Sequence, residues 1–403
     1  MILKETTLGT VSLNIQTGPF GSQLHQSDYS EIGIPVVMPK DLINGKISED
    51  SIARVGSDHV NRLSRHKIEA GDILYSRRGD VGRCAYATEH EAGWLCGTGC
   101  ILVTVDSSKA DSKYIFYRLQ MPETVGWVVN HAVGYTMLNL NTTILSGIPL
   151  KLPSLKEQKS IVQILSAYDD IIENNRKQIK LLEETAQRLY KEWFVNLRFP
   201  GYKNTPIIDG VPQGWRLDEI KSVVSLLSGY AFKSSDFVDD GKYKIVTIKN
   251  VQDGNFDGQN VNAISEIPSK MPSHCILNDG DILLSLTGNV GRVCLVNGEN
   301  YLLNQRVAKL DSKYPSYAYC LFRSNDMFDT MNSLANGAAQ QNLSPIRTEN
   351  VRILNPSDRI IEKFENVASP MIAKILVLNK SNSNLKQARD RLLPKLISGE
   401  LEV

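Results

Sequence analysis

"GDILYSRRGDVGR" occupies residues 71–83, and "GDILLSLTGNVGR" occupies residues 280–292. The two stretches agree at nine of thirteen positions, 209 residues apart. Their differences gather at the centre, where "YSRRGD" becomes "LSLTGN" and two arginines and an aspartate give way to neutral residues. A constant frame around a variable tip is the pattern of one device present twice, each copy reading something different.

The duplication extends outward from this stretch. "IPVVMPKDLINGKI" (34–47) matches "YKIVTIKNVQDGNF" (243–256), with Lys40 on Lys249 and Gly45 on Gly254. "GYTMLNLNTTILSGIPLKLPS" (134–154) aligns with "GAAQQNLSPIRTENVRILNPS" (337–357). Here Gly134, Asn139, Leu140, Pro153 and Ser154 fall on Gly337, Asn342, Leu343, Pro356 and Ser357, now 203 apart. Short apolar runs such as "GDIL", "CILVTV" and "KIVTI", separated by turn residues, predict strands. "SKYIFYRLQ" and "YAYCLFRSNDMFDTMNSLA" predict helices between them. The chain therefore reads as an α/β (α+β) globule plus a long helix, duplicated. The expected parts are a first globule at 1–152, a helix at 153–198, a Pro/Gly-rich linker at 199–215, a second globule at 216–355 and a helix at 356–403.

The two helices carry a heptad seam. Positions alternately four and three apart hold Ile161, Leu165, Tyr168, Ile172, Asn175, Ile179, Leu182, Ala186, Leu189 and Trp193. Adding 203 gives Phe364, Ala368, Met371, Ile375, Leu378, Asn382, Leu385, Arg389, Leu392 and Leu396. Seams this long exceed an ordinary amphipathic surface helix and predict a two-helix coiled coil. If the helices pair antiparallel about the pseudo-twofold axis of the repeat, centring the seams sets Ile161 against Leu396, Trp193 against Phe364 and Asn175 against Asn382. The two seam amides would then satisfy each other and fix the register. A forty-residue helix spans about 60 Å, so the expectation is a rod separating two readers.

Bulk composition narrows the classes. The 403 residues, 42% hydrophobic and 22% charged, suit two or three ordinary globular domains. No run of about twenty apolar residues predicts a membrane span, and "MILKETTLGTVSLN" lacks the pattern of a secretory signal. Six cysteines fit reduced thiols and a cytoplasmic setting better than a disulfide framework. Cys96 and Cys100 with His90 nearby hint at a metal, but no second cysteine pair completes the set, so small buried side chains are expected. Net charge is only +1. Phosphate attraction by this chain alone should be modest, and a DNA ligand would call for help from a partner.

Motifs for chemistry are missing. There is no "GxxxxGK[ST]", no "GxGxxG" opening a helix, and no "HExxH", "GxSxG" or paired CxxC. "NPSD" (355–358) lacks the second proline and the aromatic of an adenine-methyltransferase motif, and reads as a helix start with Ser357 as N-cap. Asp72 and Asp281 in "GDIL" read as turn residues entering a strand. No catalytic residue and no metal site is expected in this chain.

The combination resembles the specificity subunit of type I restriction–modification systems, over essentially the full length. The resemblance is carried by "GDIL.S..G.VGR" in both halves, by "LPSLKEQKSIVQILSAYDDIIENNRKQIKLLEETAQRLYKEWFVNLRFPG", by "VPQGWRLDEI" (211–220) and by "LKQARDRLLPKLISGELEV". It implies two target-recognition domains, each reading one half of a bipartite, asymmetric site in double-stranded DNA. It also implies helices that dock methyltransferase (modification) subunits, through which nuclease-translocase (restriction) subunits join. S-adenosylmethionine and ATP would be bound by those partners and not by this chain. The alternatives are an autonomous DNA-modifying enzyme with unrecognised motifs and a coiled-coil adaptor that binds protein.

Base readout needs Arg, Lys, Asn or Gln on surfaces that reach groove edges. Residues 54–83 hold seven Lys/Arg against four Asp/Glu, the most basic local stretch. The first-half candidates are Arg62, Arg65, Lys67, Arg77 and Arg78, with Gln23 and Lys40 further out. In the second half the tip is neutral, and candidates shift to Lys233, Lys249, Asn250, Thr287, Asn289, Gln340 and Gln341. The competing explanation is an ordinary hydrated face. Arg83 and Arg292 keep one place in both frames, which favours bonding within the fold.

Overall fold

A computed structural model describes residues 2–134, 138–259, 261–337 and 341–403. It divides into two compact units, residues 1–170 with 386–403, and residues 171–385. The boundaries between them fall inside the two long helices, at 170/171 and 385/386.

In the first unit, one antiparallel sheet runs in the order Ser12–Thr17, Cys100–Val105, Ile73–Ser76, Cys84–Tyr86. The second unit has a sheet of the same order, Ser225–Ser228, Val307–Asp311, Ile282–Ser285, Val293–Leu295. The repeated "GDIL" thus opens an inner strand in both. Ile73, Leu74, Tyr75 and Ser76 are all buried, as are Ile282 to Ser285, which explains an apolar run without alternation. Asp72 accepts the Glu69 amide at 2.8 Å, and Asp281 accepts the Asn278 amide at 2.8 Å, so both aspartates close the turn before the strand as expected.

A further sheet in each unit contains a parallel pair, Ile34–Val37 with Leu95–Cys96 and Tyr243–Val246 with Tyr301–Leu303. Each globule is tied off by one antiparallel pair, Lys4–Thr7 with Pro149–Leu152 and Arg216–Glu219 with Arg352–Asn355. The predicted helical stretch at 317–335 is two helices, Pro315–Phe322 and Asn325–Leu334, because Ser324 caps the second by accepting the Met327 amide.

The central helix, Leu155–Tyr190, starts at a capping box: Ser154 donates to Glu157 from its amide and hydroxyl, and its hydroxyl accepts the Glu157 amide. The C-terminal helix, Asp358–Ser398, starts after Ser357, whose carbonyl accepts the Ile360 and Ile361 amides. Within each unit the two helices run antiparallel. In the second unit Asn175 Nδ2 donates to Asn382 Oδ1 at 2.9 Å, and the Trp193 and Phe364 rings lie 5.9 Å apart. In the first unit Ile161, Leu165 and Leu396 share one core, and Arg389, the charged seam position, meets Asp169 at 2.6 Å. The seam arithmetic holds except near its end. Beyond Ala186 the buried residues are Tyr190 and Phe194, with Leu189 and Trp193 only half-buried. A π-helical turn at Lys191–Val195 breaks the period there, and Phe194 packs on Tyr317 of the adjoining globule.

The 199–215 segment is anchored at both ends. Phe199 and Trp215 are buried with ring centroids 4.8 Å apart, and a short hairpin pairs Ile207–Ile208 with Val211–Pro212 between them. Two aromatic anchors pack this Pro/Gly-rich stretch into the second unit's core.

Candidate nucleic-acid interface

The variable tip is a composite of three segments, built with the same backbone bonds in both halves. In the first unit the Arg77 amide donates to Gly99 O at 2.8 Å, the Leu140 amide to Arg77 O at 2.8 Å and the Gly79 amide to Leu138 O at 3.1 Å. In the second unit the Leu286 amide donates to Arg306 O at 3.0 Å, the Leu343 amide to Leu286 O at 2.7 Å and the Gly288 amide to Gln341 O at 3.0 Å. A fourth strand approaches closely. A Cβ on Gly18 would lie 2.0 Å from Gly97 O, and one on Gly229 would lie 2.3 Å from Asn304 O, so only glycine admits the crossing.

Around this frame the first unit collects its basic candidates. Arg62 donates to Gln23 O at 2.9 Å, Gln16 bonds Arg65 O, and Thr98 donates to Pro19 O at 2.8 Å. Segments 16–23, 62–65, 77–79 and 97–99 therefore form one continuous surface. Arg62, Arg65 and Arg78 are exposed on it, while Arg77 is half-buried with an Nε that meets no partner among the described residues. Lys67 is half-buried, its backbone bridged to Leu95. Lys40 is exposed, with Nζ donating to Ser51 O at 2.9 Å.

The second unit corrects two candidates. Asn250 is 3% exposed, because its side chain locks a turn: Oδ1 accepts the Thr247 amide and hydroxyl, and Nδ2 donates to Asp257 O at 2.8 Å. Thr287 is 8% exposed and donates to Asn342 Oδ1 at 3.0 Å, which braces the tip and commits its single donor within the fold. Asn289, Gln341, Lys233 and Lys249 are exposed. Gln340 lies outside the described residues. A groove of about 380 Å³ adjoins the tip, with an apolar floor of Phe237, Ile248 and Val261 and the polar residues Thr247, Lys249, Asn262, Asn304, Gln305 and Arg306 around it. Arg306, Gln305 and Asn262 had escaped the sequence reading. Aligning "GTG" (97–99) with "NQR" (304–306) would have exposed the change.

The frame arginines bond within the fold, to different partners: Arg83 to Asp80 at 2.8 Å, and Arg292 to Gln252. All six cysteines are free and buried, and burial pushes the Cys84, Cys96 and Cys320 thiols up to about 12. They are inert packing groups at neutral pH. Among the described residues no cluster of His, Cys, Asp and Glu could hold a metal, and no helix is long and apolar enough to cross a membrane.

A duplicated α+β scaffold with one backbone frame, two different tips and paired long helices defines a class of two-part recognition proteins. The chain belongs to the type I restriction modification DNA specificity domain family, whose profile matches residues 14–184 and 212–367. The type I restriction enzyme MjaIX specificity subunit of Methanocaldococcus jannaschii is 26% identical over 386 residues, 92% of this chain and 87% of that protein. The HindI specificity subunit of Haemophilus influenzae is 21% identical, covering 99% of both chains. The crystal structure of a type I restriction–modification S subunit from M. genitalium shares the fold, with a TM-score of 0.57 at 16% identity over 98% of this chain and 96% of that one.

Proposed function

We propose that this chain is the sequence-reading subunit of a type I restriction–modification assembly. Each globule reads one half of a bipartite, asymmetric duplex site, and the paired helices set the spacing and dock methyltransferase subunits. Nuclease-translocase subunits join through the methyltransferase. S-adenosylmethionine and ATP are held by the partners, and this chain performs no chemistry of its own. The observation that carries the reading is the composite tip, whose backbone bonds repeat while its side chains change from Arg77 and Arg78 to Leu286 and Thr287. The inert, buried thiols agree with a non-catalytic role.

The test is methylation mapping. The chain alone should transfer no methyl group, and the complex with its methyltransferase should modify adenines within a two-part motif. Exchanging residues 216–355 for those of a relative should change one half of the motif only. Methyl transfer by the purified chain, or a motif altered in both halves, would overturn the proposal.

A further inference from the structure

In the second half the exposed arginine stands on the turn beside the tip instead of on the tip itself, and we propose that Arg306 is a specificity-determining residue of that half-site, standing in for Arg77 and Arg78. The inference rests on the DNA-reading function proposed above and goes beyond it to a residue.

Three observations carry it. First, residues 99 and 306 are structural equivalents, since the carbonyl of each accepts the amide that opens the tip, from Arg77 at 2.8 Å and Leu286 at 3.0 Å. Second, charge is exchanged between the two segments. The tip goes from "SRRGD" to "SLTGN", losing both arginines, while the adjacent turn goes from "GTG" to "NQR", gaining one arginine and two amides. Third, Arg306 is exposed on the groove with Lys249, and none of the groove-lining residues is acidic. Among the described residues its guanidinium has neither a hydrogen bond nor an ion pair, so it is not committed to the fold. The backbone of the same residue is fixed: its carbonyl holds the tip and its amide donates to Asn304 Oδ1 at 3.3 Å. An anchored backbone with a free five-donor fork suits bidentate reading of a guanine edge, and the flanking Gln305 amide suits adenine.

The test uses the full chain in complex with its methyltransferase subunits and a random pool of DNA duplexes. Wild type should select a two-part motif. Arg306→Ala should lower base preference at one half-site by about 10-fold while leaving the other intact, and Arg78→Ala should do the reverse. Arg306→Lys, which keeps the charge and loses the fork, should keep the yield of bound duplex yet still lose the preference. An unchanged motif for Arg306→Ala refutes the assignment. A uniform drop in yield with both half-sites preserved assigns the residue to phosphates and refutes it equally. A wild-type complex that selects no motif refutes the sequence-reading function itself, and this assignment falls with it.

Discussion

Asn175 is 7% exposed in the helix pair, and its amide is satisfied by Asn382. Removing one partner strands the other, which costs about 1–3 kcal/mol, whereas replacing both restores an apolar contact. Asn175→Leu should therefore lower the urea midpoint, and the Asn175→Leu/Asn382→Leu double variant should recover it; equal losses in both would show that the pair contributes nothing specific. A second residue-scale effect concerns pH. Burial raises the Asp72 carboxyl above its ordinary value of 3.8, outweighing the Glu69 amide and the Thr104 hydroxyl that favour the charged form. The folded chain then holds that proton more tightly than the unfolded chain. The cost of the charged form is fully present at pH above the folded value, and it vanishes as pH falls toward 3.8. Relative to Asp72→Asn, which does not titrate, wild type should gain stability on acidification through that window, measured by urea unfolding at several pH values. These assignments separate what residue types reveal from what they conceal. Asn175 was legible because a polar residue in an apolar seam must be paired. Asn250 was misread because an exposed reader and a buried turn lock use the same amide.

At the scale of elements, the helix seam and the "GDIL" strands were legible because their information is periodic or repeated. The composite tip was not, since backbone bonds among residues near 286, 306 and 342 leave no mark on side-chain identity. That construction makes Gly229 decisive. A Cβ there would meet Asn304 O at 2.3 Å and push on the turn that carries Arg306. Gly229→Ala should cost about 1–3 kcal/mol through forced backbone movement and weaken reading of one half-site. Gly18→Ala, with its 2.0 Å approach to Gly97 O, should do the same to the other. Calorimetry with duplex selection checks both, and symmetrical damage from either variant would contradict two independent readers.

For the molecule as a whole, charge sets how DNA is held. Residues 1–150 carry 13 Lys/Arg against 15 Asp/Glu, and residues 200–356 carry 15 against 16, so neither globule offers a broad cationic surface. Binding to duplex DNA releases roughly 0.9 counterion per phosphate neutralised, and proteins making about 6–10 such contacts lose 10³–10⁵ in affinity between 50 and 200 mM salt. With Arg62, Arg65 and Arg78 on one surface and Lys249 and Arg306 on the other, this chain has few cations to commit, and some of them serve bases. Fluorescence anisotropy with a cognate duplex should therefore give the isolated chain a shallow salt dependence, well below the 10³-fold loss. On the function proposed above, the assembled complex should show a much steeper slope, because a methyltransferase partner would then have to supply the phosphate contacts. Single substitutions of Arg78 or Arg306 should shift base preference more than they shift that slope, dividing the labour between a nearly neutral reader and a charged partner. A steep slope for the chain alone would place the phosphate grip within it and remove the physical reason for that dependence.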